Sequence, residues 1–157
     1  MLVGVVSDSH DNLPAIAAAV RALSERGVGH LIHAGDLIAP FAARAWCEFH
    51  GPITAVYGNN DGERAGLAKV LSDIHQPPYA LTLDGRRIVL AHDAAALTEA
   101  VVAEADLVVV GHSHRSEIRR QGAALVVNPG EVGGWLTGKW TCAVVDLDAL
   151  SAEIVEL

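Results

Sequence analysis

Three times in its first half, this chain runs a short aliphatic stretch into a polar turn and then into a segment of helical periodicity. Leu2-Val3-Gly4-Val5-Val6 is a continuous Val-rich run, the pattern of a strand covered on both faces. The chain turns at Ser7-Asp8-Ser9-His10-Asp11-Asn12, and from Leu13 to Arg26 the apolar positions Leu13, Ile16, Ala17, Val20 and Leu23 recur at helical spacing. Pro14 stands in the first turn of that helix and Gly27 just past its end, the positions where each is best accommodated. Asp11, just before the helix, reads as its cap or as a turn residue bonding its own backbone. His30 to Ala34, Gly35-Asp36 and Pro40 to Glu48 repeat the unit, and Ile53 to Tyr57, Gly58-Asn59-Asn60-Asp61-Gly62 and Glu63 to Leu71 repeat it again. Consecutive strand-turn-helix units predict a parallel sheet with helices packed on its faces.

Beyond Gln76-Pro77-Pro78 the pattern changes. Tyr79 to Leu83 and Arg86 to Ala91 flank Asp84-Gly85, a strong two-residue hairpin signal. Leu97 to Ala105 reads as a helix and Leu107 to Val110 as a buried strand. Ser116 to Arg120, Ala124 to Val127, Thr141 to Val145 and Glu153 to Leu157 read as further strands. The fold class that follows is α/β: a two-layered sandwich of mixed β-sheet flanked by helices, parallel in its first half and mixed in its second. With 157 residues, 51% of them hydrophobic and no linker or low-complexity tract, residues 1–157 form one expected domain.

A formal charge of −8 and the absence of a basic stripe argue against a nucleic-acid surface, because phosphate backbones are bound through clustered Lys and Arg. The charge leaves a small phosphorylated substrate open, since bound divalent cations reverse the local field. Cys47 and Cys142 are isolated and lie in apolar surroundings, as small buried hydrophobes do. No export signal is visible, and no run approaches the roughly 18 apolar residues of a membrane span. The expected location is the cytoplasm, with monomer and homo-oligomer both open.

The residues capable of chemistry fall just after predicted strands: Asp8 and His10, Asp36, Asn59 and Asn60, His92, His112 and His114. Ligands of open α/β sheets bind beyond the carboxyl ends of the strands, so these distant segments are expected to converge on one edge. Asp8-Ser9-His10 and His112-Ser113-His114 place pairs at i and i+2, which on an extended segment address the same side and hence one metal or adjacent metals. His30, His50 and His75 lack such partners and read as ordinary core or surface histidines.

Asp8-Ser9-His10, Gly35-Asp36, Gly58-Asn59-Asn60-Asp61, His92 and Gly111-His112-Ser113-His114 occur in an order that resembles the calcineurin-like metallophosphoesterase superfamily across nearly the whole chain. Gly-Asn-Asn-Asp-Gly-Glu, Asn128-Pro129-Gly130-Glu131 and Leu136-Thr137-Gly138 look like its small YfcE-like phosphodiesterases. The resemblance implies two divalent cations, one held by Asp8, His10 and His114, the other by Asn59, His92 and His112, with the Asp36 carboxylate bridging them. Oxygen and nitrogen donors without thiolate suit Mn²⁺, Ni²⁺, Fe or Zn²⁺. It further implies hydrolysis of phosphodiesters, with monoesters as an alternative, by a hydroxide that the two metals generate.

Two positions depart from the family. Asn60 stands where larger members carry a His that protonates the leaving group; an amide orients phosphate but cannot supply that proton. Asp93 replaces the usual Gly, either as a hydrogen-bonding neighbour of the ligands or as a charge facing an anionic substrate. His33 and Asp61 are candidates to orient the ligands, with simple turn or packing roles as the alternative. Arg115 reads either as a phosphate contact or as an exposed residue at a strand start, and Trp135 and Trp140 as core or interface residues. The competing function is a scaffold that keeps the fold without turnover, as the related retromer subunit does.

Overall fold

The structure, a computed structural model, describes residues 1–157. The three opening units appear as expected: β1 (Leu2–Val6), α1 (Leu13–Glu25), β2 (His30–His33), α2 (Pro40–Trp46), β3 (Ile53–Val56) and α3 (Arg64–Val70). A two-residue strand, β4 (Ile74–His75), follows, and it is too short to leave a periodic signal. The hairpin β5 (Tyr79–Leu83) and β6 (Arg86–Leu90) turns through Asp84 and Gly85, both at positive φ (51° and 74°), as that turn demands. Then come α4 (Glu99–Ala103), β7 (Leu107–Val109), β8 (Ser116–Gln121), β9 (Ala124–Pro129), β10 (Thr141–Asp146) and β11 (Ser151–Glu156). The helix expected over Leu97 to Ala105 is shorter, because Leu97 is extended and Thr98 caps the first turn by accepting from Val101 N–H.

The strands form two sheets. One has the order β11-β10-β1-β2-β3-β4, with β1 to β4 parallel and the β10-β11 hairpin added antiparallel beside β1. The other has the order β5-β6-β7-β9-β8, parallel through β6, β7 and β9 and antiparallel at both edges. The first sheet is therefore mixed rather than purely parallel: its last two strands come from the chain's C-terminal end.

Three apolar layers hold this together. Between the sheets, Val3, Val5, Ile32 and Val56 meet Ile88, Leu90, Leu107, Val109 and Val127. Outside the first sheet, α1, α2 and α3 bury Ile16, Leu23, Trp46 and Leu67 against it. Outside the second, Val102 of α4 covers Val89, Val108 and Val126. Strands β1 and β7 and the Ile88–Leu90 end of β6 are covered on both faces, which is why they read as apolar runs without alternation. No helix is long and apolar enough to cross a membrane.

Two local expectations are corrected. Asn12, not Asp11, caps α1, its Oδ1 accepting from Ala15 N–H; Asp11 Oδ1 instead accepts from Ala39 N–H and ties the first turn to the start of α2. Cys142 is buried in the sheet, where burial pushes its thiol up to about 12, but Cys47 is exposed at the end of α2.

Candidate metal centre

The parallel strands β1, β2, β3, β6 and β7 end on one edge of the sandwich, and the loops that follow them bring the predicted residues together. Asp8, His10 and His114 place one donor atom each within 4.8 Å of one another, and so do Asp8, Asp36 and His92. Asp8 is common to both groups by distance, yet its second oxygen is taken: Oδ2 accepts from Ser7 Oγ at 2.6 Å and from His112 N–H at 3.0 Å. Only Oδ1 faces the cluster. Asp36 Oδ2 lies 3.4 Å from His10 Nε2 and 3.5 Å from His92 Nε2, between one histidine of each group.

The i, i+2 spacing works by a different geometry from an extended strand. Asp8, His10, Asp36, His112 and His114 all have positive φ, between 41° and 65°, so the chain coils in left-handed turns that point these side chains at a common centre. For residues other than glycine this conformation is uncommon and costs free energy, and its clustering marks a functional site. Two glycines make the close approach possible. A Cβ on Gly58 would collide with the Asp36 carboxylate, and one on Gly111 with Ser7 Oγ and Asp8 Oδ2.

Outer partners set the histidines. His92 Nδ1 donates to the Ala34 carbonyl at 2.8 Å, and His114 Nδ1 donates to Glu131 Oε2 at 2.8 Å, so Nε2 of each ring faces the cluster. This is the carboxylate- or carbonyl-to-histidine arrangement usual behind metal ligands. Glu131, fully buried, also accepts from Thr137 N–H at 2.5 Å and Leu136 N–H at 3.0 Å. Asn128 Nδ2 donates to the Gly111 carbonyl at 2.9 Å and to Ser113 Oγ at 3.0 Å, fixing the turn that carries His112 and His114. Glu131, Asn128 and Ser7 were assigned no role on sequence; the Asn128 to Glu131 motif was the signal pointing to the first two.

The remaining predicted residues separate by role. Asn59 Oδ1 lies 2.9 Å from His92 Nε2, within reach of the same centre. His112 joins neither converging group; its ring packs edge-on against His92 with centroids 5.1 Å apart and lines the neighbouring cleft. Asn60 directs both of its donors onto Asp36, backbone N–H to Oδ1 at 2.9 Å and Nδ2 to Oδ2 at 2.7 Å. Its place is therefore to orient that carboxylate. Asp61 accepts from the N–H groups of Asp36, Ile38 and Gly58, stitching two of the loops. His33 accepts from Gly35 N–H at Nδ1 and bonds Ser9 Oγ through Nε2, both at 3.2 Å, which pins the residue between Asp8 and His10. Neither Asp61 nor His33 contacts a ligand side chain by hydrogen bond.

The electrostatics are those of a site built for positive charge. Burial acts to raise the Asp8 carboxyl, but the facing His10 and the Ser7 hydroxyl prevail and hold it below the usual range. Asp36 is likewise held well below it, burial being outweighed by His92 and Asn60. His10 is raised chiefly by Asp8; His92 is raised because Asp36 overcomes the effect of burial. Asp8 Oδ1 and His10 Nε2 are buried without any hydrogen-bond partner. Buried polar atoms in native structures are satisfied by protein, water or an ion, and a cation among these oxygens and nitrogens satisfies both atoms at once. The donor set thus fits divalent metal.

A cleft of about 290 Å³ opens beside Asn59, His92 and His112, with Arg64, Gln76 and Asp93 on its wall. Asp93 therefore faces the cleft while one of its oxygens accepts from Ala95 N–H. A larger hollow of about 440 Å³, around Leu2, Arg26 and Glu153 at the start of β1, gathers no donor set.

Residues 1–150 match the calcineurin-like phosphoesterase superfamily domain. The chain is 33% identical over 156 residues to phosphodiesterase MJ0936 of Methanocaldococcus jannaschii, covering 94% of each protein. Its fold superposes on the solved structure of an archaeal phosphodiesterase with a TM-score of 0.91 at 29% identity over the full length of both chains. It superposes on the E. coli phosphoesterase YfcE with a TM-score of 0.72 at 21% identity, over 99% of this chain and 98% of that one.

Proposed function

Because this chain belongs to the calcineurin-like phosphoesterase superfamily, we propose that it hydrolyses phosphodiester bonds of small substrates with the help of two divalent cations. The observation that carries the reading is the pair of donor groups around Asp8 and Asp36, with Asp8 Oδ1 and His10 Nε2 buried and unpartnered. Asp8, His10 and His114 would hold one cation, and His92, Asn59 and His112 the other. Asp36 Oδ2 would serve both. Mn²⁺, Ni²⁺, Fe and Zn²⁺ all suit such oxygen and nitrogen donors. When bound, such a pair supplies Lewis acidity toward phosphoryl oxygens and lowers the pKa of water toward neutrality.

The protein's own contribution is to hold these donors still. Glu131 and the Ala34 carbonyl keep the protons of His114 and His92 on Nδ1, leaving Nε2 as the donor. Asn60 holds Asp36 in the orientation that faces both histidines. Asn60 supplies no leaving-group proton, since its amide is engaged by Asp36 and an amide is no acid. Diesters with good leaving groups, or leaving groups protonated by solvent, are the substrates such a site turns over best.

The test is turnover of chromogenic diester and monoester substrates by purified protein supplied with Mn²⁺, Ni²⁺ or Zn²⁺ in turn. Folded protein that binds two equivalents of metal yet turns over neither substrate with any of them would reject the reading and leave the non-catalytic scaffold. Asp36→Asn removes most of the activity and lowers occupancy of both cations; unchanged metal content would reject the bridging role.

A further inference from the structure

The two most exposed large apolar side chains of the molecule are neighbours in sequence, Trp135 at 66% and Leu136 at 75%. Exposed apolar residues scattered singly carry no message. These two lie on a loop fastened to the donor groups at both ends. Trp135 Nε1 donates to the His10 carbonyl at 3.2 Å. The N–H groups of Leu136 and Thr137 donate to Glu131, whose other oxygen holds His114. Behind the indole, Gly133 N–H donates to the Asp8 carbonyl at 2.9 Å, and the Gly133 carbonyl accepts from Asn12 Nδ2 at 2.7 Å. A Cβ on Gly133 would stand 2.9 Å from both the Asp8 carbonyl and Trp135 Cδ1, so only glycine lets the loop lie this close. The indole is held out at the edge of the site by a rigid support.

The same loop continues into charge. A hollow of about 220 Å³ beside His114 is lined by Arg115, Ser116, Thr137, Lys139 and Thr141 and has no apolar wall. An exposed indole and a cationic, hydroxyl-lined hollow carried by one loop match a ligand in which a planar aromatic group is attached to an anion.

We propose that Trp135 is a substrate-binding residue, on whose indole a planar aromatic arm of the phosphoester stacks. The proposal rests on the phosphoesterase reading above. A nucleobase and a simple aryl group share this chemistry, and substrates that differ in that arm separate them.

The experiment compares metal-loaded wild type, Trp135→Ala and Trp135→Phe on thymidine 5′-(p-nitrophenyl) phosphate and bis(p-nitrophenyl) phosphate. Base-aromatic stacking predicts that Trp135→Ala lowers kcat/KM about 5- to 150-fold, through KM, and that Trp135→Phe restores most of it. Inhibition by inorganic phosphate and the number of bound metals stay as in wild type. A larger loss on the thymidine diester supports a nucleobase as occupant; a larger loss on the bis-aryl diester supports an aryl group. Equal kcat/KM for Trp135→Ala and wild type on both substrates overturns the proposal. Equal damage by Ala and Phe with loss of one metal also overturns it, because the indole would then be a prop for His10. A change of oligomeric state with unchanged kcat/KM overturns it in favour of a second copy of the chain. Calorimetry with AMP and with inorganic phosphate keeps the two readings apart. Selective weakening of AMP in Trp135→Ala upholds the subsite even where no diester is hydrolysed, and that absence of hydrolysis counts against the phosphoesterase reading alone.

Discussion

Glu131→Gln is the substitution that most directly tests how the centre is held. The side chain is fully buried and its two oxygens accept from His114 Nδ1 at 2.8 Å, Thr137 N–H at 2.5 Å and Leu136 N–H at 3.0 Å. Glutamine keeps the volume but turns one acceptor into an NH₂ donor. If that donor faces Thr137 and Leu136, buried N–H groups oppose one another. If it faces His114, Nδ1 must accept, the ring proton moves to Nε2, and the nitrogen aimed at Asp8 Oδ1, 3.3 Å away, can no longer bind a cation. Loss of an outer partner of this kind lowers metal affinity about 10- to 100-fold, or about 1.4 to 2.8 kcal/mol. Calorimetric titration of metal-free protein with Mn²⁺ is the assay, and the expected result is one weakened site and one of wild-type affinity. Two unaltered sites would refute the argument that the carboxylate fixes the His114 tautomer. Equal weakening of both would place Glu131 with the shared ligand instead.

Three further expectations concern the same region. Gly111→Ala drives a methyl into Ser7 and Asp8; overpacking of this kind costs about 1 to 3 kcal/mol, and at about 2 to 4 °C per kcal/mol a thermal melt of the metal-free protein resolves it. An unchanged melting temperature would show that the loop yields freely. His33 is buried and its pKa is lowered to about 4 by burial. Its neutral form is the one that fits, so its contribution is complete above the unfolded value of about 6.5 and is lost as pH falls toward 4. The stability of wild type relative to His33→Gln should therefore shrink by about 2 kcal/mol between pH 7 and pH 5, measured by urea unfolding; a constant difference would contradict the neutral assignment. Saturating divalent metal raises the melting temperature, a hundredfold excess over Kd contributing about 2.7 kcal/mol, and Asp8→Asn reduces that gain. A melting temperature indifferent to metal would count against cation binding by the native fold.

What could be read from the sequence is what the chain states locally. Asp8, Asp36, Asn59, His92 and His112 each follow an aliphatic run, so their shared edge follows from the direction of parallel strands. The partners that tune them were hidden by separation along the chain. Glu131 meets His114 17 residues away, and Asp8 Oδ2 meets His112 N–H 104 residues away. No periodicity links such pairs. The i, i+2 histidine and aspartate pairs look extended because two-residue spacing is the signature of a strand; the chain instead uses left-handed turns, which leave the same spacing. Asp11 and Asn12 are equally good caps by residue type, and only the backbone at that turn assigns α1 to Asn12. Cys47 follows the buried Trp46 in α2, and one further step around the helix end carries it outside the core.

The insertion of β10 beside β1 has a consequence for how the molecule comes into being. Leu2 pairs with Asp146 and Val5 with Ala143, so the strand that leads into the Asp8–His10 loop gains one neighbour only through contacts very remote in sequence. Val132 N–H closes on the Ser7 carbonyl and Gly133 N–H on that of Asp8, so completion of the same loop depends on equally remote contacts. Contacts so remote in sequence slow folding through the entropy of closing large loops. The parallel β1-β2-β3 core rests on contacts nearer in sequence, whereas the left-handed turns around Asp8 and His10 are supported by the remote ones. Formation of the Asp8–His10 turn is thus tied in folding to the docking of the β10-β11 hairpin.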